Sequence, residues 1–179
     1  MALEATLQLA RGTVEQEDVP MSGACLFHAI IQEQGGAEAQ ELRQRVVAHV
    51  ALLWERDGGG GGGEVDLRAV LGWNELDPQD SISLADQVRR RSGGVLVQDL
   101  AGYCSFMSGQ SAYGDTLEAA VAARLEGLEL TIYVIDDRDQ TKLRAVATGL
   151  GLVGGVKRKV LLLNQYSSGS CHYNILRDH

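Results

Sequence analysis

Two stretches far apart in the chain carry the residue types of a thiol hydrolase. The first reads Ser22, Gly23, Ala24, Cys25, Leu26, Phe27, His28, Ala29, Ile30. It sets a cysteine after a small, flexible turn and before an apolar run with helical character. The second reads Cys171, His172, Tyr173, Asn174, Ile175, Leu176. It sets a histidine in an apolar strand pattern, with an amide-bearing residue two positions on. A thiol nucleophile, a base and a group that orients the base are the parts of cysteine-dependent acyl transfer. The fold brings such groups together, so their distance along the chain is no objection.

A thiol becomes a good nucleophile as the thiolate. Its free pKa of about 8.5 falls at a helix N-terminus or beside a protonated imidazole. Cys25 opens a helical run, and the slim Ser22, Gly23 and Ala24 leave backbone N–H groups room to face a carbonyl oxygen. With the N–H of Cys25 they would form an oxyanion hole. The blander reading makes Cys25 a small buried hydrophobe at the start of a core helix. A strand histidine is likewise often structural, and the relation of His172 to Asn174 argues otherwise. Side chains at i and i+2 share a strand face, about 6.5 Å apart. The Asn174 amide can then hold one imidazole nitrogen and leave the other for the thiol. Cys171 and Tyr173 point to the opposite face, so Cys171 is expected in the core. Asp178 shares the parity of His172 but lies about 20 Å along an extended strand. His28 and His49 are expected to be packing or surface residues, and His179 is the last residue.

These groups need elements to hold them. Residues 1–21 read as a polar lead-in. A short, mostly apolar helix is expected over 25–34, ended by Gly35 and Gly36. A longer helix over 38–56 repeats Leu42, Val46, Val50, Leu53 and Trp54 at three- and four-residue steps, with Glu41, Arg45 and Glu55 on its polar face. The six glycines Gly58 to Gly63 lack the Lys-Ser/Thr ending of a phosphate loop and read, within 57–64, as a flexible loop. Short helices are expected over 64–71 and 84–91, and another over 95–107. Asp115 and Glu118 have the spacing of a capping box, opening a helix to about Leu125. Strands are expected over 130–135, 142–148, 157–164 and 172–176. Helices lead and strands follow, which is an α+β layout of helices packed on a small sheet.

The chain has 179 residues, enough for one domain with a sizeable core. With 45% hydrophobic residues it is globular rather than disordered. A net charge of −8 argues against a phosphate-binding surface, so no nucleic acid is expected as a partner. No apolar run reaches membrane length, so no membrane is expected either. The opening residues lack the basic-then-apolar order of a secretory signal. Three cysteines at long spacings suit a reducing compartment rather than a disulfide framework, and no Cys/His spacing suggests a metal. A cytoplasmic protein with no cofactor is expected.

With both motifs placed, the chain resembles the ovarian tumour (OTU) family of cysteine proteases. That family's nucleophile motif reads Asp-Gly-Asn-Cys-Leu-Phe-Arg-Ala-Ile, against the stretch Ser22 to Ile30. Its closing motif is His-Tyr-Asn or His-Tyr-Asp before apolar residues, matched by His172 to Leu176. Between them the family has a tyrosine, a methionine, Trp-Gly-Gly/Asp and a helix beginning Glu-Leu. Here stand Tyr103, Met107, the triplet Tyr113, Gly114 and Asp115, then Leu117 and Glu118. The resemblance implies a papain-like OTU fold, a single small sheet between helices over residues 1–179. It implies a deubiquitinase that cleaves after the C-terminal glycine of ubiquitin without a metal or cofactor. Carried over by position, Cys25 is the nucleophile, His172 the base and Asn174 the orienting group. Ser22, Gly23 and Ala24 form the oxyanion-hole turn, and Tyr113, Gly114 and Tyr173 meet substrate. Ubiquitin or polyubiquitin is the implied partner, with a ubiquitin-like modifier as the variant. The chain departs from the family at Ser22 and Ala24, where the family has Asp and Asn, and at Tyr113, where it has Trp. Such departures fit a bacterial or viral protein acting in a host's cytoplasm. Two alternatives stand beside this: a catalytically weak OTU-like module that binds ubiquitin, and a papain-like protease of other specificity, such as one that processes a polyprotein.

Overall fold

The computed structural model describes residues 14–17, 24–31, 36–58, 65–74, 83–89, 99–109, 112–136, 138–139, 143–151, 157–165 and 171–178. In chain order these form β1 (Val14–Glu17), α1 (Cys25–Ile31), α2 (Gly36–Arg56), α3 (Leu67–Leu71), α4 (Leu84–Arg89), α5 (Leu100–Met107) and α6 (Thr116–Leu125). Four strands follow: β2 (Leu128–Ile135), β3 (Leu143–Gly151), β4 (Lys157–Gln165) and β5 (Cys171–Asp178).

The strands make one five-stranded sheet in the order β1-β5-β4-β2-β3. β2 and β4 pair in parallel; β1–β5, β4–β5 and β2–β3 are antiparallel. Part of the stretch read as a lead-in therefore belongs to the sheet. β1 pairs with the last strand, Val14 opposite Asp178 and Glu17 opposite Ile175. Four residues give too short an alternation to show in sequence.

β2 shows which of its faces meets the core. Leu128, Leu130, Ile132 and Val134 are buried, while Glu129, Thr131 and Tyr133 between them are half-exposed. This is the period of two expected of a strand with one face against a core. α6 packs against β2 and β3, and its Ala119, Ala120, Val121, Ala122 and Ala123 are all fully buried. Small side chains let the helix come close. At Gly151 of β3 a Cβ would stand 2.6 Å from Ala123 Cβ, and the backbone φ is +93°, a region that favours glycine. The main core gathers Leu26, Phe27 and Ile30 of α1, Leu42, Val46, Val50 and Leu53 of α2, α6, and Leu130, Ile132, Leu161, Tyr173 and Ile175 of the sheet. A smaller cluster, Leu143 and Leu162 with Tyr133 and Leu176 against it, forms separately.

The predicted capping box is present: the Asp115 side chain accepts from the Glu118 amide, and Glu118 Oε1 accepts from the Asp115 amide at 2.8 Å. The glycine run is entered from a fixed point. Asp57 is buried, and its Oδ1 accepts from the Val65 amide at 2.9 Å. Residues 59–64 lie outside the described residues.

Candidate active site

Cys25 is the first residue of α1. The Ala24 carbonyl accepts from the His28 amide at 3.0 Å, which makes Ala24 the N-cap and Cys25 the first helical position. First-turn amides receive no acceptor from within their own helix, and the helix dipole is positive there. Both effects favour a thiolate and an oxyanion at that point. Leu26, Phe27, Ala29 and Ile30 bury the rest of the helix and fix its direction. Cys25 itself is 0% exposed. Ser22 and Gly23, the other expected parts of the oxyanion turn, lie outside the described residues.

His172 is the second residue of β5, opposite Asn164 of β4. It is 4% exposed, and its Nδ1 has no hydrogen-bond partner among the described residues. A buried imidazole nitrogen in that state calls for a partner. The Asn174 side chain, expected to fill that role, lies outside the described residues, as does that of Cys171. α1 packs against β5, so the fold makes neighbours of the two motifs. Cys25 and His172 each stand near the start of their own element.

The intervening motif is a buried polar cluster. Tyr103 of α5 donates its hydroxyl to Glu118 Oε2 at 2.8 Å, and Glu118 is fully buried. Beside them lies Arg43 of α2, also fully buried. Its Nη1 donates to the Met107 carbonyl at 2.9 Å, and its guanidinium lies 4.7 Å from the centre of the Phe27 ring, a cation–π contact. Burial pushes the Arg43 guanidinium below its ordinary range. The charge of Glu118, then those that Cys25 and Tyr103 carry when ionised, push it back up. Arg43 thus joins α2 to α5 and to the helix that Cys25 opens. Sequence reading passed over it. The available signal was its place four residues after Ala39 and three before Val46, inside the apolar stripe.

Tyr113 is 41% exposed, open to a partner, whereas Tyr173 is 1% exposed. The Tyr173 hydroxyl donates to the Gly114 carbonyl at 3.3 Å. Lys159 was also not anticipated. Its Nζ on β4 reaches the carbonyls of Ala29 and Ile30 and caps the far end of α1. Of the other sulfur and imidazole groups, Cys104 is half-buried and burial pushes its thiol up; His28 is buried within α1. Among the described residues, no three His, Cys, Asp or Glu side chains gather as metal ligands, and no helix is long and apolar enough to cross a membrane.

No family model and no curated protein matches the chain. Solved structures do. The OTU domain of OTUD1 is similar over 98% of this chain and 95% of its own, with a TM-score of 0.56 and 14% identity. The viral OTU domain protease of Taggert virus is similar over 95% and 83%, with a TM-score of 0.56 and 16% identity. An OTU deubiquitinase from Wolbachia pipientis wMel, solved bound to ubiquitin, is similar over 92% and 96%, with a TM-score of 0.51 and 13% identity. The helix opened by Cys25 against the closing strand, the buried middle motif and these likenesses lead to one conclusion: the chain has the α+β, papain-like fold of the OTU domains.

Proposed function

We propose that this chain is a divergent OTU deubiquitinase. On this reading it hydrolyses isopeptide or peptide bonds after the C-terminal glycine of ubiquitin, in a reducing compartment such as the cytoplasm. One observation carries the reading: within an OTU fold, the helix opened by Cys25 packs against the strand that bears a buried His172 whose Nδ1 lacks a partner among the described residues. Cys25 attacks the carbonyl carbon of ubiquitin's last glycine, and His172 takes the thiol proton and returns it to the leaving amine. Asn174 orients the imidazole. Amides of the first turn of α1, with Ser22, Gly23 and Ala24, hold the oxyanion. Water then hydrolyses the thioester. Exposed Tyr113 supports a role in meeting the substrate.

The test is a ubiquitin probe with a C-terminal electrophile. The wild type forms an adduct at Cys25; Cys25→Ala forms none, and His172→Ala reacts about 10²–10⁴-fold more slowly. An unmodified wild-type protein overturns the reading. The full burial of Cys25 favours a second reading, in which the domain binds ubiquitin without cleaving it. Ubiquitin binding by a chain that never forms the adduct would establish that alternative.

A further inference from the structure

Gly114 sits where three elements meet, and each of them holds it. From α1, Leu26 presses so close that a Cβ on Gly114 would stand 2.4 Å from its Cδ2 and 3.4 Å from its Cβ. Leu26 is fully buried, so it has no open space to turn into. From β5, the buried Tyr173 hydroxyl donates to the Gly114 carbonyl at 3.3 Å. From α6, the next residue is locked in the capping box, because Asp115 N donates to Glu118 Oε1 at 2.8 Å. The other oxygen of that carboxylate is held by Tyr103 at 2.8 Å. A loop gripped in this way is a rigid spacer.

What it separates is the important point. Leu26 follows Cys25, and Tyr173 follows His172. One end of the spacer therefore touches the residue next to the nucleophile, and the other touches the residue next to the base. We propose that Gly114 and Tyr173 are positioning residues that set the distance between the Cys25 thiol and the His172 imidazole. This rests on the reading of Cys25 and His172 as nucleophile and base. It differs from the expectation that Gly114 and Tyr173 meet substrate: they act on the chemical step and leave substrate affinity alone. A tyrosine is needed at 173 because a phenylalanine fills the same space but leaves the Gly114 carbonyl without its donor. A glycine is needed at 114 because any side chain drives Leu26, and the helix turn that carries Cys25, away from the loop.

The experiment uses Tyr173→Phe, Gly114→Ala, Leu26→Val and the double variant Gly114→Ala/Leu26→Val. Three quantities are read: kcat and KM on a fluorogenic ubiquitin C-terminal substrate, the pH dependence of Cys25 alkylation by iodoacetamide, and Tm. Misplacement of reacting groups by about 1 Å costs up to about 10²-fold. Gly114→Ala is expected to lower kcat by about 10²-fold and Tyr173→Phe by about tenfold, with KM within about twofold of wild type. In both, the alkylation midpoint moves up toward that of a free thiol, about 8.5. Valine lacks the Cδ2 atom, so the double variant is expected to recover at least about tenfold over Gly114→Ala.

Losses confined to KM, losses that follow Tm alone, a wild-type alkylation profile in both single variants, or a double variant no better than Gly114→Ala would each overturn the proposal. The alkylation profile needs no ubiquitin. A wild type inert toward ubiquitin yet with a thiol that the two variants shift would therefore defeat the deubiquitinase reading and leave the spacer standing.

Discussion

The two ends of α1 differ in character, although the helix is only seven residues long. At the Cys25 end the polar groups are buried and their partners lie inside the protein: Arg43 on the Met107 carbonyl, Tyr103 on Glu118, Tyr173 on Gly114. At the Ile31 end an open depression of about 670 Å³ is lined by Glu38, Glu41, Arg45, Glu126, Lys157 and Arg158. The charges there are exposed, and Arg45 pairs directly with Glu126 at 2.9 Å. The same helix thus has one end in a low-dielectric interior and the other beside a depression open to water. An interaction of one kind should differ several-fold in worth between the two. The helix that presents the thiol is held among buried groups at that end and by the half-buried Lys159 at the other.

Two arginines two positions apart on α2 probe the contrast. Arg43 belongs to the buried end and Arg45 to the open one. Removing one member of a buried charged group leaves its partner uncompensated, at about 3–5 kcal/mol. Arg43→Met should therefore produce the largest loss of stability among the α2 charges, seen as a lower midpoint in urea denaturation. Adding Glu118→Gln should cost less than the sum of the two single changes, because the charge stranded by the first is removed by the second. Simple additivity in that cycle would show that Arg43 and Glu118 do not act as one group.

Lys159 sits between the extremes. Its ammonium caps the Ala29 and Ile30 carbonyls from a half-buried position. Hydrogen bonds to charged groups are worth more than neutral ones, and partial exposure reduces the gain. Lys159→Met should cost about 1–2 kcal/mol. If α1 is held mainly from its Cys25 end, this variant loses stability with little change in Cys25 alkylation. A large fall in thiol reactivity would mean that the far end of the helix also controls the site. Arg45→Ala marks the wet limit. Arg45 pairs with Glu126 at 2.9 Å, but the side chains are 46% and 32% exposed, so the cost should stay below about 1 kcal/mol and shrink with added salt.

The contrast also explains what the sequence could disclose. Local patterns were legible. The capping box of Asp115 and Glu118 lies at a fixed three-residue offset, and the α2 stripe of Leu42, Val46, Val50 and Leu53 repeats within one helix. Cys25 at a helix start and His172 on a strand were legible for the same reason. Partners brought together from distant elements were not. Lys159 meets a carbonyl 130 positions away, Arg43 one 64 positions away and Tyr173 one 59 positions away. β1 joins the sheet by pairing with the last strand, which no short-range alternation reveals. Arg43 was hidden also because a charge is ordinarily assigned to the solvent face. Only the buried cluster formed by other elements gives it a place in the stripe.

The smallest expected effect concerns His49, one turn and a half along α2 from Arg43 and half-buried. Burial lowers its pKa from the ordinary 6.5, and the nearby charges of Arg56 and Arg124 lower it further. The unfolded chain therefore takes up this proton at a higher pH than the folded one. Above about 6.5 the imidazole is neutral in both states, and its contribution to stability is fully present. As pH falls through 6.5 the unfolded state binds the proton first, and stability declines until the folded state also titrates. His49→Gln should flatten this part of the pH–stability curve between about pH 7 and 5. The measurement is the difference in urea midpoint between variant and wild type across that range, which cancels the carboxylates common to both. A difference that stays constant with pH would mean that burial and the two arginines leave His49 unperturbed, and that α2 is as wet at this point as it is at Arg45.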